Sequence, residues 1–213
     1  PPSPPSRRPP TPFEAASNFA PLPTEPSSGA FLIEISWEVC NQIGGIYQVV
    51  RSKAPLMVHR WRDQYCLLGP YFESKVSLEF EPARATGWLA RLLDALETAG
   101  VRAHFGHWLI QGRPRVLLLE YKRLATELPA LQRALWTEHG IESQPGEQVV
   151  DDALLFGEAV RRALVCAAGV LALDVPKSSG DALGAEELLP SHLLAHFHEW
   201  QSGVALPSLR RAK

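Results

Sequence analysis

FLIEIS, residues 31–36, runs directly into WEVCNQIGG, residues 37–45, and the rest of the chain can be read outward from that junction. The first segment is an apolar run of strand length, broken by a single acid, Glu34. The second has no period and closes on the pair Gly44-Gly45, so it reads as a loop. From residue 46 the pattern changes. Ile46, Val49, Val50, Ala54, Met57, Val58 and Trp61 recur at helical spacing, which predicts a helix over 46–61, with Pro55 expected to kink or split it. QYCLLG, residues 64–69, predicts a second strand, ended by Pro70.

The alternation continues. Residues 76–80 read as a third strand and 86–99 as an amphipathic helix carrying Trp88, Leu89, Leu92, Leu93 and Leu96 on one face. Residues 101–105 and 115–121 read as further strands, and Trp108-Leu109-Ile110 between them would carry the first into a hairpin. A helix is expected around 128–137. The longest helical pattern covers 149–173, with Asp151 and Asp152 placed to favour its N-terminus. Residues 174–190, rich in Gly, Ser, Asp and Pro, read as a loop, and 193–197 as a buried strand. Strands alternating with helices, most of them apolar on both faces, predict an α/β layer architecture around a largely parallel sheet.

Composition sets the outer limits. The 213 residues are 46% hydrophobic and 21% charged, enough to build one sizeable core. Their 21 basic residues are balanced by 23 acidic ones, so a general nucleic-acid coat is disfavoured. No run approaches the roughly 20 apolar residues of a membrane span. Ten of the 19 prolines lie before residue 27, so residues 1–29 read as a disordered or polyproline II arm, and residues 30–213 as the folded part. Cys40, Cys66 and Cys166 form no framework, which fits buried small hydrophobes in a reducing compartment, the cytoplasm. The chain begins at Pro1 without a signal-peptide pattern.

Two constellations carry chemistry. Gly44-Gly45 lies after a strand and before a helix, where backbone can approach a ligand closely and a helix N-terminus favours phosphate. A purely structural Gly turn fits the same letters, and neither the G-x-G-x-x-G nor the G-x-x-x-x-G-K-[ST] fingerprint is present. His196-Phe197-His198-Glu199 is the second. On a strand its two histidines share one face, which suits a substrate contact at His198, a hydrogen-bonded core histidine, or a metal site with Glu199. Glu34 needs a partner if buried, and Lys53 or Arg51 on the following helix could supply it. His104 and His107 read as structural or surface residues. No nucleophilic serine signature occurs.

EISWEVCNQIGGIYQVVRSKAP (34–55), YCLLGPY (65–71), HFGHWLIQGRPRVLLLE (104–120) and AHFHEWQSGVALP (195–207), taken together and in order, resemble the animal and fungal glycogen synthases. That family consists of retaining glycosyltransferases with two Rossmann-like domains facing a cleft, the GT-B arrangement. The resemblance implies a Rossmann-like sheet with helices on both faces, forming an incomplete N-terminal domain over residues 30–213. It implies transfer of glucose from UDP-glucose to the non-reducing end of an α-1,4-glucan. It assigns Gly44, Gly45, Ile46 and Tyr47 to the donor diphosphate and His198 to the donor glucose as the catalytic residue, with Glu199 and Trp200 structural. It calls for no metal and no cofactor, and allows a homo-oligomer. Gln48 stands where the family commonly has threonine, Glu158 where it has an aromatic residue, and residues 174–190 look inserted. The resemblance also implies that the second domain, with its Glu-x7-Glu segment, is missing, so the chain is expected to be a fragment with negligible transferase activity alone. Two other readings stay open: a non-catalytic remnant or binding module using the Pro-rich arm, and a different sugar-nucleotide transferase of the same fold.

Overall fold

The computed structural model describes residues 29–143, 146–173, 190 and 192–210. The expected Pro-rich arm and almost all of the expected 174–190 loop lie outside these residues. The described chain forms a six-stranded sheet in the order β3-β4-β5-β2-β1-β6. Its elements are β1 (Ala30–Ile35), α1 (Gly45–Trp61), β2 (Tyr65–Pro70), α2 (Glu73–Glu79), β3 (Phe80–Pro82), α3 (Gly87–Thr98), β4 (Ala103–Trp108) and β5 (Arg115–Leu119), then α4 (Leu128–His139), α5 (Gln148–Leu173), β6 (His192–Phe197), α6 (Glu199–Gly203) and α7 (Leu206–Leu209).

β6, β1, β2 and β5 run parallel, while β4 and β3 form an antiparallel extension, so the sheet is α/β and mostly parallel, as the alternation predicts. The two-residue period of β1 sorts its side chains cleanly. Phe31, Ile33 and Ile35 enter one core with Cys66, Leu68, Leu117 and Leu119, under Trp88 and Leu92 of α3 and Phe156 and Val160 of α5. Leu32 enters the other with Tyr65, Leu67, Val116 and Leu118, under Tyr47 and Val50 of α1. Both faces of β1, β2 and most of β5 are thereby covered by helices, and all six residues of β1 are buried. Glu34 has the parity of Leu32 and so points toward α1.

Three expectations are corrected. Pro55 neither splits α1 nor ends it: the helix is continuous over 17 residues. Proline removes its own N–H from the ladder and crowds the carbonyl one turn back, yet the helix runs on through it. Its ring side is met closely by the β4–β5 turn, where a Cβ on Gly112 would stand 2.8 Å from Pro55 Cα. Residues 76–80 are not a strand. Residues 76–79 belong to α2, and Phe80 opens the short strand Phe80–Pro82 that pairs with β4. The alternation Val76-Ser77-Leu78-Glu79-Phe80 fits a strand by period, but Leu78 is 79% exposed, and the Glu79 carboxylate turns inward to accept from Tyr47 Oη (3.0 Å) and Trp108 Nε1 (2.9 Å). β6 exists at the expected place but is not buried. It pairs with β1 on one side, and Leu194 and His196 on the α1 face are exposed, while Leu193 and Phe197 pack against the α5 side.

Candidate active site

The carboxyl ends of β1 and β6 lie side by side, with Ile35 paired to Phe197. The loop leaving β1 carries Gly44 and Gly45, and the turn leaving β6 carries His198. Crevices at such strand ends are where α/β sheets bind ligands. The structure therefore brings the two constellations together, and three acidic side chains join them.

Glu38 organises the glycine loop. Its Oε2 accepts N–H bonds from Gly44 (2.7 Å) and Tyr47 (3.0 Å), with Ile43 N at 3.4 Å. It satisfies amides at the start of α1 that have no partner within the helix. Gly44 is fitted to this carboxylate, since a Cβ there would stand 3.1 Å from Glu38 Oε1, whereas a Cβ on Gly45 would meet nothing within 4 Å. Gly45 thus faces open space, while the half-buried Ile46 packs against the core on the α1 side. The Tyr47 ring is buried and its hydroxyl is held by Glu79, so this residue anchors α1 in the core.

Glu199 ties the two loops. It adopts φ 57°, a left-handed conformation costly for a residue other than glycine. Its Oε1 accepts from Ser36 Oγ (2.6 Å) and Trp37 N (3.1 Å), and Ser36 Oγ in turn accepts from Glu38 N (3.0 Å). Burial pushes the Glu199 carboxyl above its ordinary value, with the Ser36 bond opposing. A hydrogen-bond chain therefore runs from the turn after β6 to the glycine loop. Glu199 does not join the histidines.

Glu34 lies beneath, fully buried at 0% exposure. Tyr65 Oη donates to its Oε2 at 2.6 Å, while Lys53 Nζ and His198 Nε2 both contact Oε1. Of the two cations anticipated for it, the structure selects Lys53; Arg51 lies over the Tyr47 ring instead. Burial alone would push the Glu34 carboxyl up, but the bonds from His198, Lys53 and Tyr65 overcome it and hold the group at about 2. Burial drives the Tyr65 phenol strongly upward. His196 is 3.9 Å from Glu34, so Glu34, His196 and His198 could each offer a metal-ligand atom. The Lys53 ammonium touches Glu34 and lies 3.3 Å from His198 Nε2, so this carboxylate already has a cation beside it.

Neighbouring cavities extend along the strand ends. One of about 790 Å³ is lined by Tyr71, Phe72, Glu73, Ser74, Glu120, Lys122 and Arg123. Another, of about 340 Å³, has Trp37, Asn41, Ile43, Phe72 and Lys75 among its lining residues. His104, stacked on Tyr71 at 4.0 Å between centroids and 2.7 Å from Glu120, braces the rim. Among the described residues no helix is long and apolar enough to cross a membrane. Sequence reasoning missed the capping role of Glu38 and the Ser36–Glu199 link. An acid seven residues ahead of a Gly-initiated helix is outside the usual capping positions and gives little signal.

The family model described as glycogen synthase matches residues 34–213. The liver glycogen [starch] synthase of Rattus norvegicus is 32% identical over 189 residues, covering 88% of this chain and 24% of the relative. The glycogen [starch] synthases of Neurospora crassa and Dictyostelium discoideum are 31% and 30% identical over 84% and 89% of this chain. The chain spans about a quarter of the length of the rat relative. With the match beginning at Glu34 and taking in both the glycine loop and the turn at His198, the chain belongs to the glycogen synthase family.

Proposed function

We propose that this chain forms one wall of the cleft of a retaining glucosyltransferase that moves glucose from UDP-glucose to the non-reducing end of an α-1,4-glucan. Residues 30–213 would be part of its N-terminal Rossmann-like domain. The observation that carries the reading is the meeting of the Gly44-Gly45 loop and His198 at adjacent parallel strand ends, in a chain of this family. Gly45 and Ile46, at the open start of α1, would receive the donor diphosphate, because helix N-terminal amides favour negative charge there. Gly44 and Tyr47 would serve indirectly, by holding that helix end through Glu38 and the core. His198 would meet the donor glucose. Three free cysteines fit a cytoplasmic enzyme, and glycogen and copies of the same chain are its expected partners.

The test is titration of the isotope-labelled 213-residue chain with UDP-glucose, followed by amide and imidazole NMR. Concentration-dependent shifts confined to Gly45, Ile46 and the His198 ring are expected, with no turnover on glycogen. Shifts elsewhere only, or none at millimolar donor, would favour a non-catalytic remnant. Real turnover by this chain would overturn the one-walled cleft.

A further inference from the structure

We propose that Lys53 and Glu34 are positioning residues that hold His198 as a neutral imidazole protonated on Nε2, leaving Nδ1 as the hydrogen-bond acceptor presented to a sugar hydroxyl. The inference deepens the proposed function and rests on it for the identity of the ligand.

The geometry fixes the tautomer. His198 Nε2 faces two groups of opposite kind: Glu34 Oε1, in contact, and Lys53 Nζ, at 3.3 Å. An ionised carboxylate can only accept, and an ammonium can only donate. A bare Nε2 would set its lone pair against the nearer carboxylate oxygen. Nε2 must therefore carry the proton and donate it to Glu34. No hydrogen bond to Nδ1 is formed among the described residues, so it is the nitrogen left for a ligand.

The charge balance fixes the protonation state. From β1, Glu34 supplies one negative charge, which Lys53 of α1 offsets by direct contact. From β2, Tyr65 adds a neutral hydroxyl donor to the same carboxylate. From β6 itself, the His196 ring lies 4.4 Å away, and burial pushes its protonation down. From α6, the Glu199 carboxylate is taken up by Ser36 and Trp37 N. A second proton on His198 would place an imidazolium beside Lys53 with no uncommitted anion to balance it. Without Lys53, Glu34 would face His198 alone and would favour the imidazolium. A neutral ring with a free acceptor suits a sugar hydroxyl, where a cation would draw phosphate instead.

The experiment is ¹⁵N-histidine NMR of the 213-residue chain, with His198 signals assigned by their loss in His198→Gln. The parent should show a protonated Nε2 and an unprotonated Nδ1 at neutral pH. In Lys53→Gln the Nδ1 signal should change from the unprotonated to the protonated form at neutral pH, and Lys53→Arg, which keeps the charge, should restore the parent pattern. A proton on Nδ1 in the parent, or an Nδ1 still unprotonated in a Lys53→Gln variant with a native amide spectrum, would overturn the proposal. Should Lys53→Gln fail to fold, the parent tautomer alone still decides. Adding UDP-glucose separates the two claims: an Nε2–H ring that ignores the donor leaves this inference standing and removes the proposed function.

Discussion

The end of β1 and the loop that follows it each carry a buried glutamate, four positions apart, and the two are held in opposite ways. Glu34 is held by side chains from three other elements: Tyr65 of β2, Lys53 of α1 and His198 at the end of β6. Glu38 is held by main-chain amides of the glycine loop and the start of α1. The first arrangement depends on charge, because one carboxylate must answer an ammonium and an imidazole. The second depends on shape, because amides at a helix start will donate to any well-placed oxygen. Substitutions that keep shape and remove charge should therefore damage the strand end and spare the loop.

The largest effect is expected at Glu34. Glu34→Ala leaves the Tyr65 hydroxyl without its acceptor in the core and Lys53 without its counter-ion. A loss of about 3–5 kcal/mol is expected in chemical denaturation, a large share of the stability of a domain this size. Glu34→Gln keeps the shape and should still lose most of that. The effect also depends on pH. A carboxyl held at about 2 instead of 4.5 contributes about 3 kcal/mol, present in full above pH 4.5 and lost as pH falls toward 2. The stability gap between parent and Glu34→Gln should accordingly shrink between pH 5 and pH 2.5. A constant gap would show that the contact works by packing alone. Glu199 has the opposite sign: its raised carboxyl favours the fold at acid pH and gives up that contribution as pH rises.

Much of this contrast was legible in the sequence. A single acid inside FLIEIS needs a partner once buried, and the following helix offered Lys53 or Arg51; only the structure chose Lys53. β1, α1, β2 and the long α5 followed from period alone, because each buries a continuous face and has a turn at its border. Residues 76–80 misled because five residues cannot separate the two periods; the choice was made by Glu79 reaching Tyr47 and Trp108, both distant in sequence. The exposure of β6 was equally hidden, since the apolar letters Leu193, Leu194, Ala195 and Phe197 state a preference for burial, and neighbouring elements decide whether cover is supplied. Ser36, Glu38 and Glu199 are common polar letters in a loop, and their link exists only once β1 and β6 lie in register.

Glu38→Ala should come second. It strips the acceptor from the amides of Gly44 and Tyr47, and a cost of about 1–2 kcal/mol is expected, comparable to losing a helix cap. Glu38→Gln, which keeps one carbonyl oxygen, should recover more than half of it. A Glu38→Gln variant as damaged as Glu34→Gln would erase the distinction between charge and shape.

The smallest effect gives the sharpest test, because it divides two adjacent glycines. Gly44 packs against Glu38, and a methyl group there must push on an oxygen that Gly44 and Tyr47 already hold. Gly44→Ala should therefore cost about 1 kcal/mol, and the cost should vanish in a Glu38→Ala background, a coupling that a double-mutant cycle reads directly. Gly45 opens α1 and has free space where a Cβ would go. Gly45→Ala should be neutral or stabilise by about 0.4–1 kcal/mol, since it restricts the unfolded chain without a clash. The same methyl group would occupy the space proposed for the donor diphosphate, so the variant should gain in melting temperature while its UDP-glucose-induced shifts weaken several-fold. Parent-like donor shifts in Gly45→Ala would mean that the open space beside this residue is not where the ligand sits, and both glycines would then serve the turn alone.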